Sequence, residues 1–571
     1  MNGPLTARRT LSRRRLLQIS IAALPALAAA CMPQAPVAKP AEPAKAAPAG
    51  APAGATKPAA GATPAPVAAV KPGGTVNFAV TSDPLLNPIL TGDVSGVVMT
   101  KLLFNGLTRP DRDTLEPRPD LALSWEPSES GAVWTFKLRD NVKWHDGAAF
   151  TADDVKFTFE AILDPKVNTV MRGHFKSLKG VDVLDPLTVR FALDQPFAAF
   201  PTFMGHLGTV SVGIIPKHVL ASQDINTSAF NKTEPIGTGP FKMKEFKAAD
   251  HVTLAAFDGY HFGRPKLDTF NWKILPDANT RLAQIRTGEL TQALLAPAQT
   301  QQLRGSPDVK AENAPRVGFT YIGLNKSRPL YQDVRVRRAM MHAIDRDTII
   351  KKILLDAQTI AHGPIPPSIA WAYEPNITTY AFDIDKAKAL MAEAGWRPGS
   401  DGIFTKDGQQ FSFKLTASRS PQNEQICAQI QQTLRALGME SSIELLEFGL
   451  FINERRDTHN YDVMLHGWSL PPDPDQFNYW HSSAITGGGL NAGEYKNPEA
   501  DKLLEQGRQT LDQAKRKEIY SQLQKLMADD LPELWMWNSV ETRAGSTKLK
   551  GFGEKSYYDV ELHYVTEWSL E

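Results

Sequence analysis

From residue 73 onward, hydrophobic and polar positions follow two different periods. In "VWTFKL" (residues 133–138), large apolar side chains alternate with others, which predicts a half-buried strand. The Asp-Gly pair at 146–147 predicts a turn. The next stretch, "TADDVKFTFEAIL", predicts a helix that Thr151 begins as N-cap, with Asp154 completing a capping box. Strands and helices therefore alternate early in the chain.

The later half predicts a strand, a helix and two more strands. Apolar residues alternate in residues 411–418, and the helix should run from about Asn423 to Gly438. "ESSIELLEF" and "YDVMLHGW" then predict further strands. Parallel strands joined by helices carry ligands beyond their carboxyl ends, so Trp468 should lie beside a ligand crevice. Alternatively, Trp468 and Tyr479 close the edge of the domain.

The amino terminus is predicted to be an export signal (residues 1–31). "SRRRLLQISIAALPALAAAC" has a basic start, an apolar stretch and small residues before Cys31. It resembles a twin-arginine signal at its start and a bacterial lipoprotein signal at its end, where the cysteine becomes the lipidated first residue. The alternative is an ordinary signal cleaved nearby, with Cys31 incidental.

Residues 32–72 are nearly all Ala, Pro, Gly and Lys, which predicts an extended linker without a core. A folded body on such a linker would work close to a membrane, anchored through the lipid and located outside the cytoplasm. No later run is apolar enough to predict a membrane span. Once Cys31 is set aside, Cys427 is the remaining cysteine, and its helical apolar surroundings predict a buried side chain.

Composition and motifs restrict the function. The 571 residues predict two or three domains, and a net charge of +1 gives no field that would attract nucleic acid. The sequence has no G-x-S-x-G, H-E-x-x-H or phosphate-loop motif, and its histidines do not stand at a helical metal spacing. We therefore expect no catalytic residue, metal or cofactor.

Several long blocks nevertheless resemble one protein family. They include "LFNGLTRPDRDTLEPRPDLALSWEP", "VWTFKLRDNVKWHDGAAFTADDVKFTFEAI", "PIGTGPFKMKEF", "DGYHFGRPKLDTFNWKILPDANTRLAQIRTGEL" and "YIGLNKSRPLYQDVRVRRAMMHAIDRDTII". Their order and separation resemble the extracellular solute-binding proteins of peptide-type ABC importers, which include oligopeptide-, dipeptide- and nickel-binding proteins. The resemblance covers essentially everything from Gly73 to the end.

The resemblance implies an α/β, bilobed periplasmic-binding-protein fold of type II, in the large class with an extra inserted subdomain. Two hinge-linked lobes would close on a solute and present it to a membrane permease. Lobe I would comprise residues 73–103, 201–325 and 532–571, the inserted subdomain 104–200, and lobe II 326–531. The chain would cross between the lobes near Asn325 and near Glu533.

The resemblance also suggests ligand contacts. Peptide binders of this family follow Gly-Trp with an aspartate that holds the ligand ammonium, but here Ser469 and Leu470 follow Trp468 and no acid stands in that place. Asp473 matches a later acid that shapes the turn. A buried ammonium without a charged partner is costly, so ordinary zwitterionic peptide binding is in doubt. The predicted ligand-binding residues are Trp468, Phe448, Ser469, Asp473, His174, Arg455 and Trp371.

Phe448, Trp468, Ser469 and Asp473 are the main candidates and His174, Arg455 and Trp371 the weaker ones, and, besides Trp468, three of the seven have a structural alternative. Phe448 would instead belong to the core, Arg455 would be a solvated helix charge, and Trp371 would anchor a loop. The predicted function is solute capture by a monomeric, non-enzymatic binding protein, with a peptide, an oligosaccharide or another polar metabolite as ligand. The rival functions are a secreted hydrolase and a chemosensory or docking protein at the cell surface.

Overall fold

The computed structural model describes residues 73–169, 171–207, 210–486, 489–553, 557 and 560–571. The predicted signal with Cys31 and the predicted linker lie outside these described residues.

The described helices are α1 (Val94–Leu103), α2 (Ala152–Leu163), α3 (Phe200–Phe203), α4 (Lys217–Leu220), α5 (Ala278–Thr287), α6 (Pro297–Gln301), α7 (Val334–Ala343), α8 (Arg346–Lys352), α9 (Ile384–Glu393), α10 (Pro421–Leu437), α11 (Phe448–Phe451), α12 (Phe477–Trp480), α13 (Pro498–Gln509) and α14 (Gln513–Asp530). Short 3₁₀ turns occupy Arg172–Phe175, Ala229–Asn231, Pro329–Tyr331, Ser482–Ile485 and Glu561–Glu567, and a π-helical turn occupies Ile452–Arg456.

The first described strands are β1 (Thr75–Val80), β2 (Thr108–Pro110), β3 (Pro117–Pro119), β4 (Ala122–Pro127), β5 (Val133–Leu138), β6 (Leu178–Asp185), β7 (Thr188–Leu193), β8 (His206–Leu207), β9 (Val210–Ser211), β10 (Phe241–Lys247), β11 (His251–Ala256) and β12 (Thr269–Ile274). The later ones are β13 (Gln292–Leu294), β14 (Val309–Leu324), β15 (Thr359–Ile360), β16 (Arg397–Pro398), β17 (Phe404–Lys406), β18 (Gln409–Gln410), β19 (Ser412–Ser418), β20 (Glu440–Leu446), β21 (Val463–Ser469), β22 (Glu533–Ser546), β23 (Leu549–Lys550) and β24 (Ser569–Leu570).

One sheet runs through most of the molecule. Its order is β10-β11-β12-β1-β13-β22-β14-β21-β19-β20, with β15 on β22. β1 is parallel to both β12 and β13, and β19 is parallel to both β20 and β21. The long strands β14 and β22 join these two parallel regions and pair antiparallel with each other. The sheet therefore has a parallel region at each side of a long central ribbon.

Two large hydrophobic cores flank this ribbon. The first core comes mainly from strands between β1 and β12, the inserted sheet β4-β5-β7-β6, and the end of the chain. The second core extends from Val317 through α14 into the first half of β22, and it also includes Leu115 and Val560. A small third core lies between α5 and the strands that include Ala79, Val309 and Ala544.

The packing shows where the ribbon passes from one core to the next. Along β14, Val309 belongs to the third core and residues 317–324 contribute to the second. The ladder between β14 and β22 is irregular between Pro315 and Phe319. The irregularity therefore lies between the β14 residues of the third core and those of the second core.

The local predictions agree with the structure. Strand β5 covers residues 133–138, and the main-chain N–H of Thr151 donates to Asp154 Oδ2 at 3.0 Å at the start of α2. The predicted β-α-β order is formed by β19, α10 and β20, with left-handed Gly438 ending the helix. Cys427 of α10 is fully buried, and burial raises the pKa of its thiol to about 12.

Candidate ligand-binding site

Trp468 lies near the carboxyl end of β21, as predicted, but its side chain is largely enclosed by protein. The residue is 8% exposed, and its indole stacks on Tyr321 with ring centres 6.2 Å apart. His466 and Tyr479 approach it edge-on, each at 5.0 Å, and the Arg456 guanidinium lies 5.3 Å from the ring centre. The orientation of the indole is therefore fixed by its neighbours.

Strand pairing explains this cluster. β21 is antiparallel to β14, with Tyr321 opposite His466, so alternate residues of both strands share one face. The two backbones approach closely at Gly318, where an added Cβ would lie 2.1 Å from the Trp468 carbonyl oxygen. Burial, and next the charge of Arg456, lowers the pKa of His466 to about 3. The imidazole is consequently neutral at neutral pH.

Asp473 is held in a buried ion pair. Its carboxylate accepts hydrogen bonds from Arg516 Nη1 at 3.0 Å and Nη2 at 2.7 Å. The main-chain N–H of Asp475 also donates to Asp473 Oδ1, at 2.9 Å. The Trp371 ring lies over the Arg516 guanidinium at 5.3 Å. Asp473 and Trp371 therefore meet through Arg516, an arrangement that stabilises the turn after β21.

Asp475 has a different arginine. It accepts from Arg508 Nε at 2.8 Å and Nη2 at 3.0 Å. The Arg508 guanidinium lies 4.2 Å from the ring centre of Phe477 and 4.9 Å from that of Phe197. The main-chain N–H of Ala198 donates to the Arg508 carbonyl oxygen at 2.8 Å. Arg508 thus connects the loop at 467–480 to the segment predicted as the inserted subdomain.

His174 lies at this same contact. Its Nδ1 is 3.4 Å from Asn478 Nδ2, and it lines a cavity of about 190 Å³ with Phe197, Phe477 and Arg508. Burial, and next the charge of Arg508, lowers the pKa of His174 to about 4. The cavity wall therefore combines a neutral imidazole, amides and aromatic rings with the charged side chains of Lys176, Asp194, Glu505 and Arg508.

The remaining candidates lie nearer the surface. Phe448 begins α11 and is 60% exposed, so the alternative that it belongs to the core is wrong. Arg455 donates to Glu444 from Nε at 2.9 Å and from Nη2 at 3.1 Å, and this bonding lowers the pKa of Glu444 to about 2. Ser469 is half-buried opposite Gly318 in the ladder.

The structure thus brings together Trp468, Ser469, Asp473, His174 and Trp371 around loop 467–480. Phe448 and Arg455 lie in adjoining turns, whose Phe451 contacts His466 at 5.4 Å. Arg508, Arg516 and Phe197 were missed in the sequence analysis. Their partners lie far away in the sequence, so no local pattern marks them.

Two further features bear on function. Within the described ranges, no helix is both long enough and apolar enough to cross a bilayer. In the same residues, no group of three or more His, Cys, Asp and Glu side chains is placed to hold a metal ion.

Comparison with known proteins identifies the family. Residues 116–488 match the family described as "Bacterial extracellular solute-binding proteins, family 5 Middle". The chain therefore belongs to the family 5 extracellular solute-binding proteins. The predicted membership, the bilobed α/β fold and the role in solute capture are confirmed.

Individual relatives span nearly the whole molecule. The oligopeptide-binding protein AppA of Bacillus subtilis is 31% identical over 494 residues, 85% of this chain and 89% of that protein. Its structure with a nonapeptide has a TM-score of 0.76 and covers 88% of this chain and 100% of the other. The dipeptide-binding protein of Escherichia coli is 30% identical over 79% of this chain and 86% of its own length. The structure of NikZ from Campylobacter jejuni with Ni(L-His) is 30% identical, with a TM-score of 0.75, and covers 87% of this chain and 99% of the other.

Proposed function

We propose that this protein captures a peptide or a similar polar solute in a cleft between two lobes and delivers it to the permease of an ABC importer. The observation that carries the proposal is the loop at 467–480. It follows a strand that pairs with the central ribbon. Its Asn478 lies 3.4 Å from His174, and Arg508, which binds its Asp475, contacts Phe197 and Ala198. A ligand held at this loop would meet groups from both sides, as hinge closure requires.

The predicted ranges are 73–103, 201–325 and 532–571 for lobe I, 104–200 for the inserted subdomain, and 326–531 for lobe II, and we propose these lobes with a change at the two crossings. The two large cores support this division in outline. Residues within 317–324 and 534–537 pack in the second core, which we assign to lobe II. Both crossings would therefore move from Asn325 and Glu533 toward the middle of β14 and β22. The hinge would then lie near Pro315 and Val540, which are paired in the ladder.

Ligand chemistry follows from the loop's two acids. Asp473 is bound by Arg516 and Asp475 by Arg508, so each carboxylate already has a cationic partner. Neither is available to hold a ligand ammonium without breaking an ion pair. We therefore propose a ligand bound through main-chain or hydroxyl groups, which leaves a peptide, an oligosaccharide and another polar metabolite as candidates. Relatives that bind an oligopeptide and a dipeptide favour the peptide.

We also propose that the protein works outside the cytoplasm as a monomer, anchored to the membrane through a lipid on Cys31. The signal-like segment and the linker support this placement. Intact-mass analysis of the exported protein tests it. A chain that starts at a lipid-modified Cys31 is expected, and a soluble product with a different first residue would contradict the anchor.

Binding without turnover is tested by native mass spectrometry of freshly purified protein, followed by small-angle scattering. A co-purified solute should leave on mild unfolding, and adding it back should reduce the radius of gyration. A hundredfold excess over the dissociation constant should stabilise the fold by about 2.7 kcal/mol. Conversion of that solute to product by the pure protein would instead favour a secreted hydrolase. A partner protein bound without any solute would favour a docking role.

A further inference from the structure

A second cavity, of about 270 Å³, lies away from loop 467–480, at the carboxyl end of β1. Large apolar side chains line most of it, and they come from β1, α1, β12, β13 and the last part of the chain. Six of them are Phe78, Val98, Trp272, Leu294, Phe552 and Trp568.

The location is one where α/β proteins bind ligands. β1 is parallel to β12 and β13, and α1 begins beside the cavity with Val94 and Ser95. Ligands of parallel sheets bind beyond the carboxyl ends of the strands. The ribbon contributes Arg316 and Glu541, close to the proposed hinge. The cavity therefore lies in the proposed lobe I, which contains the first core. Within the proposed cleft it is at the end nearest the hinge.

The charged groups at the wall are already bound to protein groups. Arg316 pairs with Glu541 at 3.2 Å, and Arg543 Nη2 donates to Glu561 at 2.6 Å. The guanidinium of Arg281 donates to main-chain carbonyl oxygens of neighbouring residues. A charged ligand group would compete with these bonds and lose its own hydration. An apolar group would gain contact area at no such cost.

The size and the opening of the cavity agree with an aromatic guest. An engineered apolar cavity of about 150 Å³ binds benzene, so 270 Å³ leaves room for a larger ring. Val94, at the rim, is 56% exposed, so solvent reaches the rim. A ring on a ligand could therefore enter from this side.

We propose that this cavity is a side-chain pocket that selects ligands with one large apolar, preferably aromatic, group. The inference rests on the proposed function in one respect: the ring would belong to the solute held in the cleft. The cavity would make the protein prefer solutes with an apolar side chain near the hinge. Loop 467–480 does not provide such a preference.

Indole is a probe that tests the cavity by itself. Calorimetric titration of the purified chain with indole should show saturable binding. Leu294→Phe and Val98→Phe each place a ring in the cavity and should weaken that binding at least tenfold. Leu184→Phe makes the same change at a residue that is 49% exposed on the inserted sheet, and it should leave binding unchanged. Two filling variants are used so that a folding defect in one does not remove the test.

Peptides then connect the cavity to the solute. Phe-Ala-Ala, Ala-Phe-Ala and Ala-Ala-Phe are titrated beside tri-alanine, with indole as competitor. At least one phenylalanine peptide should bind tenfold more tightly than tri-alanine, displace indole, and lose this advantage in Leu294→Phe. Equal binding of all four peptides, unaffected by indole, would overturn the pocket while leaving peptide capture intact. Absence of saturable indole binding would also overturn it. If no peptide binds although indole does, the proposed peptide ligand fails and so does this assignment of the pocket.

Discussion

At the scale of single residues, two carboxylates hold the loop after β21 in place, and each forms an ion pair with a different arginine. Asp473 binds Arg516 of α14, and Asp475 binds Arg508 of α13. Paired acids in a proline-rich loop could equally have been ligand anchors. Here both are engaged in bidentate ion pairs, so the loop's shape is fixed before any solute arrives.

Removal of Arg516 should be costly. Arg516→Met leaves the buried Asp473 carboxylate without its partner, which typically lowers the free energy of unfolding by about 3 to 5 kcal/mol. Urea denaturation should show this loss. The matched control is Arg435→Met, which removes a pair with Glu440 whose side chains are 47% and 51% exposed. Such exposed pairs contribute about 1 kcal/mol or less.

Asp473→Asn combined with Arg516→Met should recover part of the stability, since no buried charge remains unpaired. Equal small losses in Arg516→Met and Arg435→Met would show that Asp473 is not held as the structure indicates.

Trp468 requires separate readouts for stability and for binding. Trp468→Ala should destabilise the fold by about 3 to 5 kcal/mol, as for other buried large aromatics. Trp468→Phe keeps a ring against Tyr321 and Tyr479 and should fold well. If Trp468 contacts the ligand, the phenylalanine variant should weaken binding roughly tenfold. Unchanged affinity for the co-purified solute in that variant would assign Trp468 to the core.

The sequence predicted part of this site. Trp468, Ser469 and Asp473 are contiguous, and the strand before them was recognisable from its apolar run. Their arginine partners could not be found in the same way, because Arg508 and Arg516 lie on helices whose charged residues look like any solvated helix face. Side-chain pairing over such separations depends on the folded arrangement of the helices.

At the scale of elements, the end of α13 connects loop 467–480 to the segment at 197–198. Arg508 lies between Phe477, which belongs to the loop, and Phe197, which belongs to the predicted inserted subdomain. If closure creates the contact with Phe197, it contributes to the closed state alone. The contact with Phe477 would exist in open and closed states alike.

Two matched substitutions separate these contacts. Phe197→Leu should weaken ligand binding about fivefold, because a cation–π contact contributes about 1 kcal/mol to the closed state. Phe477→Leu removes the other ring and should change the affinity much less. Titration with the co-purified solute, with scattering to follow closure, gives the comparison. Equal effects of the two variants would show that the Phe197 contact does not depend on closure.

Strands and helices that are marked by patterns in adjacent residues could be predicted. The order of the strands in the sheet could not. β5, α2 and the β19-α10-β20 unit follow from alternation, capping and helical periods in adjacent residues. The order of the large sheet depends on pairings such as Val309 with Ser546, which lie far apart in the chain. The resemblance to a family, rather than periodicity, supplied the bilobed arrangement.

At the scale of the whole molecule, buried histidines make stability depend on pH. Burial lowers the pKa of His145 and His174 to about 4 and that of His206 and His466 to about 3. Unfolded histidines titrate near about 6.5, so the unfolded chain binds more protons below that pH. Stability should therefore be complete above about pH 6.5 and fall as the pH drops toward 4.

Urea midpoints at pH 7.5 and pH 5.5 test this expectation, and the midpoint should be lower at pH 5.5. His206→Gln removes a histidine that is 1% exposed and should make the decrease smaller. An identical midpoint at both pH values would mean that these imidazoles accept protons in the folded state as easily as in water.

The irregular ladder in the central ribbon lies at the proposed hinge and, with that hinge, bears on the capture and release of a solute. Between the pairs Pro315–Val540 and Phe319–Asn538, residues 316–318 of β14 stand opposite Ser539 alone. Extra residues in one strand bend it and increase its local twist. A rotation between the proposed lobes at this bend would act on residues that already lie outside the regular ladder. Opening would then not require the regular pairs of β14 and β22 to break. The lifetime of the bound solute would be set by its own contacts with the protein.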